Sequence, residues 1–305
     1  MKVFVTGGAG FVGAAVIDAL LAGGHSVNAL VNHRPLKHTD DRVKSFPGGL
    51  FDDLALDEAM QDCEAAIHLV GIIVEKPSER ITFDRIHVQG TRQVLLAADR
   101  AGIKRYLHMS ALGAAPNAAA NYHLTKFQAE VFVQGSELDW TIFQPSLIHG
   151  PGGEFTHMET AWAHGTAPPY MFMPYFGGGL FGFSQPKKIQ PVFVEDVARA
   201  FAQSLEDPGH IEQAFPLGGP EQMTWRQMHH AASDVIVGCV RPVLPIPAWL
   251  AIAITKIVPP HLLPFTKDQV LMSRQDNICD MTKFTQAFGW TPKRFAATLR
   301  GYVHK

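Results

Sequence analysis

A glycine-rich turn near the start of the chain has the spacing of a phosphate-binding site. Residues 6–13 read Thr-Gly-Gly-Ala-Gly-Phe-Val-Gly, between an apolar run at 2–6 and a segment rich in Ala, Val, Ile and Leu at 11–21. This order of strand, turn and helix is the context that a dinucleotide fingerprint requires. The first glycine permits a tight turn, the second lets the backbone approach a pyrophosphate, and the third allows close helix–strand packing. We therefore expect a dinucleotide at the helix N-terminus, bound by Gly7, Gly8, Ala9, Gly10, Phe11, Val12 and Gly13.

The residues after the second predicted strand, 26–31, indicate which dinucleotide is bound. An NAD site usually carries Asp or Glu here for the ribose 2′-hydroxyl, whereas the 2′-phosphate of NADP pairs with Arg. This chain has Asn32, His33 and Arg34, and no carboxylate stands at this point. Because a guanidinium can bind phosphate through two hydrogen bonds, Asn32 and Arg34 favour NADP(H) over NAD(H). The alternative is that Arg34 is an ordinary solvated loop residue.

A tyrosine and a lysine stand at helical spacing in the middle of the chain. Tyr122 and Lys126 are four residues apart in a predicted helix at 121–130, so their side chains share one face. Ser110 directly follows a predicted strand at 105–109. The alternative for the Tyr122 and Lys126 pair is a solvent-facing helix, where this spacing often arises by chance.

The elements around these residues alternate between strand and helix. Strands are predicted at 2–6, 26–31, 66–70 and 105–109, and helical segments at 11–21, 84–101 and 121–130. Such alternation predicts an α/β fold, a Rossmann-type doubly wound parallel sheet with a small C-terminal substrate lobe. We assign residues 1–150 mainly to the dinucleotide-binding core and 151–305 mainly to the lobe, with a segment at about 189–203 returning to the core.

Composition excludes several classes of function. The chain has 305 residues and a formal net charge of −2, with no basic run beyond two residues, which argues against nucleic-acid binding. Its three cysteines suit neither a disulfide framework nor a metal site, so we expect no metal and a cytoplasmic location. The N-terminus is typical of a strand and not of a signal peptide.

The apolar segment at 248–258 is bounded by Pro247 and by Pro259 and Pro260, and it is too short to span a bilayer. It is either a buried helix or a segment that rests on a membrane or partner surface.

Residues 150–190 are rich in Gly, Pro, Phe, Tyr and Met, and are predicted to form a long binding loop or lid. This stretch contains no Lys or Arg before Lys187, which argues against a nucleotide-sugar diphosphate. A small apolar substrate, such as a lipid-like or quinone-like carbonyl compound, fits better. The alternative is that the aromatic residues only cap the core of the lobe.

The order of these motifs along the chain matches that of a known protein family. The chain resembles a short-chain dehydrogenase/reductase of the extended or atypical kind, in the NAD-dependent epimerase/dehydratase superfamily. More closely, it is similar to the group around the nucleotide-binding accessory subunit of respiratory complex I and its bacterial relatives. The resemblance rests on residues 6–13, 67–72, 90–91 with Leu95, 110–114, the pair Tyr122 and Lys126, 140–142, 145–146, 150–152, 191–198 and 289–292.

The resemblance implies hydride transfer with Tyr122 as the general acid/base. Lys126 would lower the pKa of the phenol and hold the nicotinamide ribose, and Ser110 would hydrogen-bond a carbonyl oxygen. The resemblance also places other residues beside the dinucleotide, namely Leu69, Val70, Gly71, Lys126, Pro145 and Ser146.

Two departures from the family pattern open other functions. His87 stands where such enzymes commonly have Asn, and Gln144 stands where they often have Arg. We expect His87, Gln144 and His149 on the substrate side, His149 because it precedes the Gly150-Pro151 turn. One rival function is a non-catalytic cofactor-binding scaffold or accessory protein in a membrane or quinone-linked complex, with peripheral membrane or protein contact. A second is a nucleotide-sugar epimerase or dehydratase.

Overall fold

The computed structural model describes residues 1–184, 186–259 and 262–303. Gln185, Pro260, His261 and the last two residues of the predicted lobe lie outside this description. The strands are Lys2–Thr6 (β1), Ser26–Val31 (β2), Val43–Pro47 (β3), Ala65–His68 (β4), Arg105–Met109 (β5), Asp139–Pro145 (β6), Ile148–His149 (β7), Met173–Gly177 (β8), Lys188–Ile189 (β9), Val192–Phe193 (β10), Gln213–Leu217 (β11), Met223–Thr224 (β12) and Val243–Pro247 (β13).

A parallel sheet forms the centre of the molecule. Among the described residues, seven strands make up this sheet in the order β11-β6-β5-β4-β1-β2-β3. The chain builds outward from β1 in one direction through β2 and β3, and in the other through β4, β5, β6 and β11. The order therefore reverses between β1 and β4, which is where ligands bind in open α/β sheets, beyond the carboxyl ends of the strands. The predicted Rossmann-type doubly wound fold is confirmed.

Helices cover both faces of the sheet. They are Phe11–Ala22 (α1), Asp53–Met60 (α2), Gly90–Arg100 (α3), Asn121–Gln134 (α4), Glu154–His164 (α5), Val194–Glu206 (α6), Trp225–Val237 (α7), Ala248–Ile257 (α8), Lys267–Ser273 (α9), Thr282–Phe288 (α10) and Phe295–Val303 (α11). A π-helix at Asp84–Gln89 runs directly into α3. Apolar residues of α1, α6 and α10 pack on one face of the sheet, and those of α2, α3 and α4 on the other.

The C-terminal half contributes more to the core than the predicted segment at 189–203. Phe215 of β11 and Phe284 and Phe288 of α10, all beyond residue 203, also join the cluster that contains Val3 and Val5 of β1. The lobe has its own smaller core, in which α5, α7 and α11 pack together. Strands β8 and β13 pair in parallel beside α8 and α9.

The stretch at 150–190 is not one long loop. It contains α5 and β8, and α5 ends at Gly165, which adopts a left-handed conformation with φ of 68°. Helix α5 was not predicted from the sequence because Gly and Pro residues, which are typical of loops, flank it. In the part of the chain that is described, no helix combines the length and the apolar character needed to cross a membrane.

Candidate functional site

The glycine turn lies at the switch point between β1 and β4. Gly7 has φ of 76°, and a Cβ on it would lie 3.3 Å from the backbone of Leu69 and Val70. A Cβ on Gly13 would lie 2.1 Å from the carbonyl oxygen of Gly7, closer than any real contact. The turn therefore packs closely against both α1 and the end of β4. A side chain at Gly7 or Gly13 would force these elements apart.

The N-terminus of α1 fits the pyrophosphate of a dinucleotide. Helix α1 begins after Gly10, and no side chain within the described residues caps it. Its first turn also holds no acidic residue, so its backbone amides and the positive end of the helix dipole are left for an anion. A Cβ on Gly10 would lie 3.1 Å from the oxygen of Gly7 and narrow this cradle. Phe11 turns away and packs its ring against Gly150 and Gly153.

The end of β2 leaves its polar side chains exposed. Asn32 and Arg34 are solvent-exposed, and Arg34 forms no ion pair within the described ranges. The neighbouring carboxylate of Asp52 caps α2, where it accepts a hydrogen bond from the amide of Ala55 at 3.1 Å. A ribose or phosphate at this point would therefore meet an amide and a guanidinium.

Lys126 is buried at the same edge of the sheet. Its Nζ donates a hydrogen bond to the carbonyl oxygen of Met109 at 3.0 Å. A Cβ on Gly71 would lie 3.0 Å from that Nζ, so Lys126 borders the segment that follows β4. Burial lowers the pKa of Lys126 to about 8, although the carboxylate of Glu130 acts in the opposite direction.

Tyr122 lies one helical turn before Lys126 and is half-buried. Its ring packs edge-on against Phe83, His87 and His123 at centroid distances of 5.9, 5.4 and 5.3 Å. Burial raises the pKa of Tyr122 to about 12. Burial dominates at the phenol, so its pKa lies above the ordinary value and not below it, as expected from Lys126.

A buried acid, Glu130, lies beyond Lys126 on α4. The amide of Gln144 donates to both of its carboxylate oxygens, at 2.9 and 3.1 Å. Burial raises the pKa of Glu130, while Ser110, Gln144 and Lys126 act against the rise. Gln144 was expected to contact substrate, but its side-chain amide is instead committed to Glu130. Sequence analysis missed Glu130, although its position four residues after Lys126 places both on one helical face.

His87 is held in the interior by the π-helix. Its Nε2 lies 3.1 Å from the amide nitrogen of Ile72, and its Nδ1 lies 2.9 Å from the hydroxyl oxygen of Thr125. The Thr125 hydroxyl in turn donates to the carbonyl oxygen of Asn121. Burial and the charge of Lys126 lower the pKa of His87 to about 2, so the ring is neutral. With both ring nitrogens hydrogen-bonded, the contact with substrate expected of His87 is not supported.

Two further predicted residues are committed to the protein's interior. His149 is fully buried, with Nδ1 3.1 Å from the hydroxyl of Tyr302, which argues against its expected place at a substrate entrance. The hydroxyl of Ser146 donates to Asn277. The side chain of Asn277 in turn donates to the carbonyl oxygen of Leu112 at 2.9 Å. Nothing in the local sequence marks Asn277, since its partners are more than a hundred residues away.

Comparison with known proteins gives consistent results. Residues 7–164 match the family described as NAD(P)H-binding. The chain is 27% identical over 237 residues to the NADH dehydrogenase [ubiquinone] 1 alpha subcomplex subunit 9 of Arabidopsis thaliana, which covers 77% of this chain and 56% of that protein. It is 29% identical over 238 residues to a ceramide reductase of Caulobacter vibrioides, covering 77% of this chain and 70% of the reductase.

A structural comparison extends the likeness to the fold of the whole chain. The UDP-glucose 4-epimerase of Thermotoga maritima superposes with a TM-score of 0.75 at 19% identity, covering 100% of this chain and 98% of the epimerase. This likeness concerns the fold alone, and the chain spans little more than half the length of the Arabidopsis protein. The match over residues 7–164 includes the glycine turn and the Tyr122 and Lys126 pair. The chain therefore belongs to the NAD(P)H-binding family.

Proposed function

We propose that the chain is an NAD(P)-dependent oxidoreductase that interconverts an apolar carbonyl compound and its alcohol. The observation that carries the proposal is the position of Lys126, buried beside Gly71 and Met109 at the carboxyl edge of the sheet. Burying an ammonium group costs free energy unless partners compensate its charge, so a buried lysine at this edge suggests a functional role. The glycine turn lies at the same edge, two strands away from Met109.

Each residue has a distinct role in this proposal. The dinucleotide, which supplies or accepts the hydride when bound, would be held by the glycine turn, Leu69, Val70, Gly71 and Pro145. Ser146 keeps its hydroxyl bonded to Asn277 and would only border the dinucleotide. Tyr122 holds the proton that is exchanged with the substrate oxygen, and its raised pKa keeps the phenol protonated at neutral pH. Ser110 is buried with its hydroxyl beside Glu130, and it would turn that hydroxyl to the same oxygen when substrate is bound. Lys126 contributes positive charge and orients the ribose.

Two observations support an apolar substrate. Between residue 150 and Lys187 the sequence has no Lys or Arg that could neutralise a diphosphate. The relative from Caulobacter vibrioides is named a ceramide reductase. Protection of the chain against thermal unfolding by UDP-glucose would favour the nucleotide-sugar alternative instead, and we expect none.

We also propose that NADP(H) is preferred over NAD(H). Exposed Arg34 and Asn32 stand where an NAD site usually has a carboxylate. Calorimetric titration should show NADPH binding about tenfold tighter than NADH, or about 1.4 kcal/mol. Arg34→Ala should abolish that difference without weakening NADH binding. Equal or tighter binding of NADH by the unaltered chain would refute the preference.

The catalytic role of Tyr122 is tested by Tyr122→Phe. This variant should bind NADPH as well as the unaltered chain does and lose at least about a hundredfold in turnover of a lipophilic carbonyl substrate. Tyr170→Phe, at an exposed position in the lobe, serves as the matched control and should keep full turnover. Turnover by Tyr122→Phe at the original rate would rule out its assignment.

A second candidate function is a non-catalytic cofactor-binding accessory protein of a membrane or quinone-linked complex. It is favoured by the raised pKa of Tyr122, which Lys126 does not lower, and by the relative that is a subunit of NADH dehydrogenase. This function predicts tight dinucleotide binding with no turnover across a broad carbonyl panel, together with a stable partner. We propose a cytoplasmic location with contact at a membrane surface.

A further inference from the structure

A cluster of exposed apolar side chains lies in the C-terminal lobe, on two segments that are distant in sequence. The first is the loop after β8, where Leu180, Phe181 and Phe183 are 66%, 72% and 65% exposed. The second is α8, where Trp249 is 53% and Ile257 is 82% exposed. Soluble proteins rarely leave several large apolar side chains together in water without a partner.

Several contacts hold the two segments together as one surface. Strands β8 and β13 pair in parallel along their full length and deliver the loop and α8 to the same side. The indole nitrogen of Trp249 donates a hydrogen bond to the carbonyl oxygen of Leu180 at 3.0 Å. Gly182 packs so closely on Pro245 that a Cβ would lie 2.7 Å from the proline Cβ. The loop is therefore fastened to β13 and α8, and its apolar side chains still face solvent.

The charge of these segments is one-sided. Residues 160–194 and 235–267 contain no Asp or Glu, although the whole chain has more acidic than basic residues. The same two stretches carry Lys187, Lys188, Arg241, Lys256 and Lys267. Lys187 pairs with Asp276 at 3.6 Å, and Asp268 directly follows Lys267. Lys256 and Lys267 are exposed at the ends of α8 and α9, and neither forms an ion pair in the described part of the chain.

We infer that this apolar surface docks on a bilayer that contains anionic lipids. Exposed aromatic and aliphatic side chains, with Trp among them, suit the boundary between headgroups and acyl chains, and flanking lysines attract anionic headgroups. A protein partner would need acidic side chains opposite the lysines, whereas an anionic bilayer offers both the charge and the apolar layer. The inference rests on the membrane contact proposed above and is independent of the proposed enzymatic activity, because it concerns only α8 and the loop after β8.

The experiment is flotation of the full chain with phosphatidylcholine vesicles, with and without phosphatidylglycerol. The chain should bind only the vesicles that contain phosphatidylglycerol, and added salt should release it. The double variant Phe181→Ser, Phe183→Ser should reduce binding at least about tenfold. The double variant Lys256→Gln, Lys267→Gln should reduce it about 30-fold, from about 1 kcal/mol for each lysine near an anionic surface.

The matched control is Leu54→Ser, which removes an 83% exposed side chain from α2 and should leave binding unchanged. Because all these positions are exposed, each variant should keep the melting temperature and the dinucleotide affinity of the unaltered chain. Absence of vesicle binding, or equal binding to neutral vesicles, would overturn the inference. So would a dimer that the Phe181 and Phe183 variant dissociates, since a second copy of the chain would then cover the surface.

Discussion

Replacing Lys126 with Met tests whether the buried ammonium group destabilises the fold. The side chain is 2% exposed, and its pKa falls from the ordinary value of 10.5 to about 8. At pH 7 the charge is retained in the folded state, and this difference corresponds to about 3 kcal/mol of lost stability. Losing the hydrogen bond to Met109 returns about 1 kcal/mol of that. Lys126→Met should therefore be about 2 kcal/mol more stable than the unaltered chain at pH 7.

The pH dependence gives the sharper test. Between pH 8 and 10.5 the unfolded chain binds a proton that the folded chain has released, so the stability of the unaltered protein rises with pH. The stability of the unaltered chain relative to Lys126→Met should rise by about 2.5 kcal/mol from pH 7 to pH 10, which is enough to cancel the advantage of the variant. Urea unfolding followed by circular dichroism measures both proteins, and exposed Lys44→Met serves as the control. A difference that stays constant over this range would refute the reasoning, whereas loss of dinucleotide affinity in Lys126→Met would show what the charge is kept for.

Two other substitutions, Gly13→Ala and Gln144→Leu, test the packing around the site, and Gly301→Ala is a control for the first. Gly13→Ala should lower stability by about 2 kcal/mol and weaken dinucleotide binding, because its Cβ would meet the oxygen of Gly7 at 2.1 Å. Gly301→Ala in α11, where a Cβ meets nothing within 4 Å, should be neutral or stabilising in the same thermal unfolding assay. Gln144→Leu removes the hydrogen-bond donor to buried Glu130 and should destabilise the fold by about 2 kcal/mol at neutral pH. Since the pKa of Glu130 is already raised, this loss should fade in acid as the carboxylate protonates, and a loss of equal size at pH 4 would contradict it.

The strands and the glycine turn were predictable because each depends on residues that are close together in the sequence. The strands at 2–6, 26–31 and 105–109 have the predicted bounds, because β-branched and apolar runs end at Gly, Asn or Ser. The glycine turn was predictable since each of its glycines answers a steric requirement within a few residues. Helix α5 was missed because Gly and Pro on either side are typical of loops, although Gly165 is a common helix end.

The surroundings of two predicted site residues depend on contacts across the chain. His149 precedes a Gly-Pro turn that suggests an entrance, yet α11 returns from the C-terminus and covers it with Tyr302. In the sequence nothing indicates a partner for the side chain of Gln144, because its hydrogen-bond acceptor, Glu130, lies on a different element, α4. Burial also decided the pKa of Tyr122, because spacing on a helix fixes which residues share a face and says nothing of how much water reaches them.

The π-helix at Asp84–Gln89 affects which side chains relatives with a different length in this segment can place in the interior. Its hydrogen bonds span one residue more than those of an α-helix, so the segment holds an extra residue in the same rise. Deleting one residue there would restore α-helical spacing and turn the preceding side chains by about 100°. In a relative whose segment is regular, the residue aligned with His87 would leave the helix in another direction. An insertion or deletion, and not a substitution, then determines which side chain reaches Thr125.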